Sequence, residues 1–377
     1  MNILIAPDSF KDCLSAREVA ESLRKGLIIA GVEGNFEIAP MADGGEGTVK
    51  SVIDATGGEM VRIRVMDPLM REIESFYGIT GDGSTAVIEM AAASGLELLK
   101  PGERNPWVTT THGTGQLIRN ALERGCKKIL LGIGGSATND CGAGMAGALG
   151  VKFTDRQGNA GRLAGGYLGD IDRIWMDGLH ADIEDTEILV ACDVSNPLTG
   201  PRGASHTYGP QKGADDEMVR KLDRNLAQFA DLIREQLGVE IDKVPGAGAA
   251  GGLGAGLMAF LNARLMNGFE MISEAIGLDE KIKRADLVIT GEGKMDEQTR
   301  FGKTPFGVAQ LAKKQGKPVI GVAGTVEDNA RTLYESGFQV IMPILEKPSD
   351  LSYAIENAAT LLEKTGERIG RFLKIQI

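Results

Sequence analysis

The chain begins "MNILIAPDSFKDCLSAREVAESL" (residues 1–23), and the reading of this stretch decides the fold class. Residues 2–6 form a short apolar run of strand type that ends in Asp8 and Ser9. A helix is expected over 15–30. Ser15 and Glu18 have the spacing of a capping box, Ala16, Val19, Ala20, Leu23, Leu27 and Ile28 recur at helical spacing, and Gly31 provides the stop. A second strand is expected at 36–40. Strand, helix and strand in this rhythm open a parallel α/β sheet, in which ligands bind at the turns beyond the strands' carboxyl ends. Lys11 lies in such a turn, either as a solvated loop lysine or as a charge aimed at an anion, and the residues alone leave both open.

The far end of the chain returns to the same style. "ADLVITG", "KPVIGVAG" and "FQVIMPI" are short apolar runs separated by helical stretches, as in buried parallel strands with crossover helices. The two chain ends are therefore expected to share one sheet, with the middle as an insertion. Alternating runs around 61–65, 73–79 and 85–90, joined by Asp-Pro and Gly-Asp-Gly turns, predict an antiparallel meander. Val219, Leu222, Leu226, Phe229, Ala230, Ile233 and Leu237 mark a long amphipathic helix closed by Gly238. No repeat of solenoid period is visible.

Composition narrows the function classes. A length of 377 residues favours two domains. The net charge of −11 argues against nucleic acid or an anionic membrane as partner, yet allows a small anion in a local basic pocket. The cysteines Cys13, Cys126, Cys141 and Cys192 form no close pair, and no leader or spanning segment is evident, so a reduced, cytoplasmic protein is expected. His112, His180 and His206 are isolated, which points away from a histidine zinc site and toward a hard metal held by carboxylates. The 52 glycines follow no period and must serve particular turns and close approaches.

Several glycine-rich loops could carry chemistry. "GIGGSATND" (132–140) follows an apolar strand and precedes a small-residue helix; its N–H groups, with Ser136 and Thr138, suit an anion, although glycine could serve the turn alone. Gly246-x-Gly248-x-x-Gly251 formally matches a dinucleotide fingerprint, but Pro245 interrupts the strand that should precede it. "ADGGEGT" (42–48) and "TGEGKMDEQTRFGKT" (290–304) place Asp43, Glu46, Glu292 and Asp296 after strands, where a metal and its nucleotide would sit, or where they would cap helices. The "GKT" at 302–304 is no Walker A loop, since the glycine required five positions earlier is Glu297. Asp193 ends the apolar run "ILVAC" and is expected to be poorly solvated, as a general base or as a cap on the Asn196-Pro197 turn.

Taken together, "APDSFKDCLSA", "ADGGEGT", "GIGGSATNDCGAGM", "CDVSNPLTGPRGA" with "YGPQKGA", "PGAGAAGGLG" and "DLVITGEGKMDEQTRFGKTP" resemble the characteristic segments of the bacterial-type glycerate kinases, in that family's order and across essentially the whole chain. Cys13 and Cys141 depart from the small residues expected there, a matter of packing. The resemblance implies ATP-dependent, magnesium-assisted phosphorylation of D-glycerate to 2-phosphoglycerate. It also implies an α/β fold of two domains: a flavodoxin-like parallel-sheet domain built from 1–58 and 282–377, and an inserted α/β domain of restriction-enzyme-like fold at 59–281. Asp193 and Lys11 are then expected to be catalytic, with Lys11 on the glycerate carboxylate or the γ-phosphate. Ser9, Asp43, Glu46 and Asn196 are expected at the substrate; Gly134, Gly135, Ser136, Thr138, Asn139, Gly248, Gly251 and Gly252 at the nucleotide; and Glu292 and Asp296 at Mg2+. A homodimer is compatible with this reading. A nucleotide-binding oxidoreductase, leaning on Gly246–Gly251, and a non-catalytic sensor of small acids are the alternatives; NAD titration and coupled ADP release discriminate them.

Overall fold

The computed structural model describes residues 1–300 and 303–375. Among them are thirteen strands and the helices that connect most of them, and the chain divides into two compact units. The first comprises Met1–Asp43, Lys50–Gly57 and the described residues from Phe269 onward; the second comprises Gly44–Val49 and Gly58–Gly268.

In the first unit, β1 (Asn2–Ile5), β2 (Asn35–Ile38), β11 (Leu287–Met295), β12 (Val319–Val326) and β13 (Phe338–Pro343) form a wholly parallel sheet in the order β13-β12-β11-β1-β2. Ile3 pairs with Leu287 on one side and Phe36 on the other. The inner stretches of β1 and β11 are apolar because both faces are covered: Ile3, Leu4, Ile5, Val288 and Ile289 are all buried. Strand order reverses between β1 and β11, which makes a topological switch point. β11 is longer than "ADLVITG" suggests; its polar end continues to Met295 because β12 goes on pairing with it, Lys294 opposite Thr325.

The Ala16–Ile29 helix starts at the expected capping box, where the Glu18 N–H donates to Ser15 Oγ at 3.4 Å and the Ser15 N–H to Glu18 Oε2 at 2.9 Å. Its apolar stripe, Val19, Ala20, Leu23 and Leu27, is fully buried. It meets the Ala358–Leu373 helix backbone to backbone: a Cβ on Gly26 would overlap the Glu363 carbonyl oxygen, and one on Gly366 the Leu23 carbonyl oxygen.

In the second unit the alternating runs form the expected meander, β3 (Glu59–Met66), β4 (Glu72–Ile79) and β5 (Thr85–Glu89), paired antiparallel. The sheet then continues in parallel through β6 (Lys128–Gly132), β9 (Glu187–Ala191) and β10 (Arg264–Met266), giving the order β10-β9-β6-β5-β4-β3. β7 (Lys152–Thr154) and β8 (Arg173–Trp175) make a separate antiparallel pair. The Asp216–Leu237 helix is capped by Asp215, which accepts from the Met218 N–H at 2.8 Å, and it ends at Gly238 with φ +71°. From this helix Phe229 packs against Phe153 and Phe260, with centroids 5.7–6.3 Å apart among the three rings. Burying each such ring contributes about 1.5–3 kcal/mol. No helix among the described residues is long and apolar enough to cross a membrane.

Candidate active site

In the first unit, the strand ends around the switch point carry acidic residues. The Asp8 N–H donates to the Gly291 carbonyl at 2.8 Å, which fixes the chain as it leaves β1 beside β11. Asp8 Oδ1 accepts the Ser9 N–H at 2.6 Å. Burial pushes the Asp8 carboxyl up to about 7, and the negative charges of Asp43 and Glu292 add to the shift. Glu292 is buried within β11; burial raises its carboxyl too, against hydrogen bonds from Thr299 Oγ1 (2.8 Å) and Lys303 Nζ (3.2 Å). Asp296, also buried, lies 3.3 Å from Lys294 Nζ. Asp43 is exposed. Lys11 is exposed on a tight turn in which Phe10 and Leu14 exchange both backbone hydrogen bonds (2.8 and 2.9 Å), with Asp12 left-handed at φ +57°. Gly302 of the "GKT" segment lies outside the described residues.

In the second unit, three loops come together beyond the parallel strands β6 and β9. The 132–140 loop has an exposed tip, Gly134 and Gly135, followed by the buried run Ser136–Asp140. Its backbone is pinned from outside: the Leu96 N–H donates to the Gly135 carbonyl (2.8 Å) and the Ala137 N–H to the Ser94 carbonyl (2.9 Å). The N–H groups of Gly134, Gly135 and Ser136 have no backbone acceptor among the described residues. The helix expected to follow directly begins only at Ala143 and is six residues long. The donors of this loop are thus its own N–H groups and hydroxyls, not a helix terminus. Asp140 explains the delay: its Oδ2 is engaged by the Thr111 N–H (2.7 Å), Thr111 Oγ1 (2.8 Å) and the Gly144 N–H (3.3 Å), so residues 140–142 bend around a buried carboxyl that burial pushes upward.

The 246–252 glycines pack against that loop. Gly251 and Gly252 are left-handed, at φ +69° and +87°, and a Cβ on Gly251 would overlap the Thr138 carbonyl oxygen. The Cys141 N–H donates to the Gly251 carbonyl at 3.1 Å. Close backbone approach between loops accounts for these two buried glycines. Gly248 packs likewise on the third loop, its N–H donating to the Asn196 carbonyl at 3.0 Å. Asn139 Nδ2 donates to Ser205 Oγ (3.0 Å), tying the first loop to the third.

Asp193 corrects an expectation. It is exposed rather than poorly solvated, because the chain leaves the sheet at Ala191 and the carboxylate turns toward the end of β10. There Asp193 Oδ1 accepts from Asn267 Nδ2 (2.6 Å) and from the Gly268 N–H (3.1 Å). Asn196 spends its amide on its own loop: Nδ2 donates to the Arg202 carbonyl (2.7 Å) and Oδ1 accepts from Tyr208 OH (2.8 Å). Glu46 is exposed. Beside it, Glu89 is buried and accepts the Val49 N–H at 2.8 Å.

Sequence reasoning missed Asp8, Glu89 and Lys212 as residues of consequence. Lys212 is 1% exposed and donates to Ser136 Oγ (2.6 Å) and the Thr138 carbonyl (2.7 Å). Its segment "YGPQKGA" was visible, but nothing in the letters marks a lysine as buried. For a hard metal, the donor chemistry fits: oxygen donors gather at these strand ends, where burial raises Asp8 and the charges of Asp43 and Glu292 add to it. No three His, Cys, Asp or Glu gather as a metal-ligand group among the described residues. A magnesium held by one or two carboxylates plus phosphate oxygens needs no such trio.

The glycerate kinase family model matches residues 3–374. The chain is 48% identical over 375 residues to the glycerate 2-kinase of Escherichia coli (strain K12), covering 100% of this chain and 98% of that protein. It is 47% identical over 367 residues to the glycerate kinase of Halalkalibacterium halodurans, covering 97% of each. A crystal structure described as glycerate kinase 2 from Salmonella typhimurium LT2 superimposes with a TM-score of 0.92 at 45% identity, over 99% of this chain and 98% of that one. With a family model matched over residues 3–374 and relatives 47–48% identical over nearly the whole of both chains, the chain belongs to the glycerate kinase family.

Proposed function

We propose that this protein transfers the γ-phosphoryl group of ATP to the 2-hydroxyl of D-glycerate, with magnesium, giving 2-phosphoglycerate. The observation that carries the reading is the end-to-end likeness to glycerate kinases, among them a glycerate 2-kinase. Two units of different architecture accord with it: the order β13-β12-β11-β1-β2 supports a flavodoxin-like domain built from both chain ends, its distal part starting at Phe269 rather than at the expected 282, with a restriction-enzyme-like domain between them.

Phosphoryl transfer asks the protein for positioning and charge stabilisation. Gly134, Gly135, Ser136 and Thr138 offer N–H and O–H donors to nucleotide phosphate, on a loop that Asn139, Gly248, Gly251 and Gly252 hold in shape. Magnesium supplies charge neutralisation at the phosphates when bound, and Glu292 and Asp296 would hold it. Lys11 supplies compact positive charge, and Ser9, Asp43, Glu46 and Asn196 orient glycerate. Asp193, steadied by Asn267 and Gly268, takes the hydroxyl proton. An alcohol's proton becomes acidic only as its oxygen bonds to phosphorus, so an exposed carboxylate suffices. One observation favours Asp8 as a second candidate for this base: its carboxyl is pushed up to about 7.

The test is ADP release coupled to D-glycerate, followed by phosphorus NMR of the product. Phosphate on C2 couples to a single carbon-bound proton and gives a doublet. A triplet, from phosphate on the primary carbon, would overturn the 2-position, and no ADP release with glycerate would overturn the activity.

A further inference from the structure

We propose that Lys212 is a positioning residue for the reaction: its buried ammonium holds Ser136 Oγ and the Thr138 carbonyl so that the Ser136 proton faces a nucleotide phosphate oxygen. The inference rests on the reading that the 134–139 loop binds nucleotide phosphate.

Lysine is almost never fully buried unless paired, and taking an ammonium out of water costs several kcal/mol. Lys212 has no carboxylate within salt-bridge distance among the described residues. Asp140 is the charged group that faces it, and Asp140 is already occupied by Thr110, Thr111 and Gly144. The burial of Lys212 is therefore spent on two hydrogen bonds to the loop, at 2.6 and 2.7 Å.

The consequence for Ser136 follows from its inventory of one donor and two lone pairs. An ammonium has no lone pair to give, so Ser136 Oγ accepts from Lys212 and keeps its own proton to donate. Accepting from a cation also strengthens that donor, since charge-assisted bonds polarise their neighbours. The free N–H groups of Gly134 and Gly135 point the same way in chemistry. Two further polar atoms of this loop, Thr138 Oγ1 and Asn139 Oδ1, are buried without a partner among the described residues, so the loop is held in a form that its own bonds do not fully satisfy. Burial holds the ammonium down to about 7, so an arriving phosphate draws a proton firmly onto Lys212. Neutral Lys212 has a lone pair, can accept from Ser136, and would turn that proton inward.

The experiment measures KM for ATP and kcat with saturating D-glycerate for the parent enzyme, Lys212→Met, Ser136→Ala and the double variant. Each single variant should raise KM for ATP at least tenfold with a smaller change in kcat, and the double variant should be no worse than Lys212→Met alone. Between about pH 7.5 and 9.5, where the nucleotide phosphates are already ionised, the parent's KM should climb with pH while that of Lys212→Met stays flat. The parent's pH profile keeps the test decisive even if Lys212→Met does not fold. A double variant whose defect is the product of the two single defects, or a flat parent profile, overturns the proposal. If Ser136→Ala and Gly134→Ala are both folded with unchanged KM, the phosphate-loop reading itself fails, and the proposal falls with it.

Discussion

Replacing Gly134 with alanine isolates the phosphate loop from the fold. Gly134 is exposed and is not among the left-handed glycines, and a Cβ there meets only Gly45 Cα at 3.8 Å, an ordinary contact. Stability should stay within about 0.5 kcal/mol. The new methyl stands beside the unpaired N–H groups of 134–136. If a phosphate oxygen approaches there, it loses at least one hydrogen bond to a charged group, worth about 1.5–3 kcal/mol. At 1.4 kcal/mol per tenfold, KM for ATP should rise roughly 10- to 150-fold. The assay is coupled ADP release with ATP varied at saturating D-glycerate, alongside a thermal melt. A KM within about twofold of the parent at unchanged Tm would refute the reasoning. Gly135→Ala is a poorer probe, because φ +71° adds about 1–2 kcal/mol of left-handed strain to whatever binding is lost.

Asp193→Asn should cut kcat by about 10²–10⁴-fold, and neither extra magnesium nor manganese should restore it, whereas Asp296→Asn should be partly rescued by metal; rescue of Asp193→Asn in a metal titration would remove it as the base. Lys11→Ala should lose roughly 10²-fold in turnover, and Lys11→Arg should recover only part, since a planar fork is no substitute for a compact ammonium; near-normal kinetics would return Lys11 to a solvated loop. Asp8 titrates higher in the folded protein, about 7, than its ordinary 3.8, so its charge costs stability progressively as pH rises from about 4 to about 7. Asp8→Asn removes that cost. Its Tm advantage should be small at about pH 5 and grow toward pH 8, bounded by ~4 kcal/mol, and an equal Tm gap at both pH values would contradict the cause assigned.

Much of the fold was legible because period and punctuation agreed. Ser15, Glu18 and Gly31 bracket the first helix, Gly238 closes the Asp216–Leu237 helix, and the apolar runs of the distal third are strands that pair where expected. The loops were legible as loops. What they do with their glycines was less so: Gly251 lies against the Thr138–Asn139 backbone and Gly252 against Leu198 and Cys141, a property of tertiary packing that the letters do not carry. Burial of polar groups was the least visible. Asp193 follows an apolar run yet is exposed, since burial depends on which way the chain turns after its last paired residue. Lys212 sits in a polar stretch yet is enclosed, since the residues that surround it come from a loop 74 positions away.

An inner strand of the first unit, β1, waits for one of its partners. β1 forms one edge pair with β2 nearby, but its other neighbour, β11, lies 284 residues downstream, as the Thr290 bond to the Ala6 carbonyl measures. A ribosome adding roughly 5–20 residues per second needs about 15–60 s to supply that partner. Throughout that interval, β1 and the apolar stripe of its helix have neither β11 nor the Ala358–Leu373 helix to cover them, while Gly58–Gly268 emerges whole and free to fold. The nascent chain thus presents an unpaired, largely apolar strand edge for tens of seconds. That leaves this edge open to misassociation during synthesis until β11 arrives to pair with it.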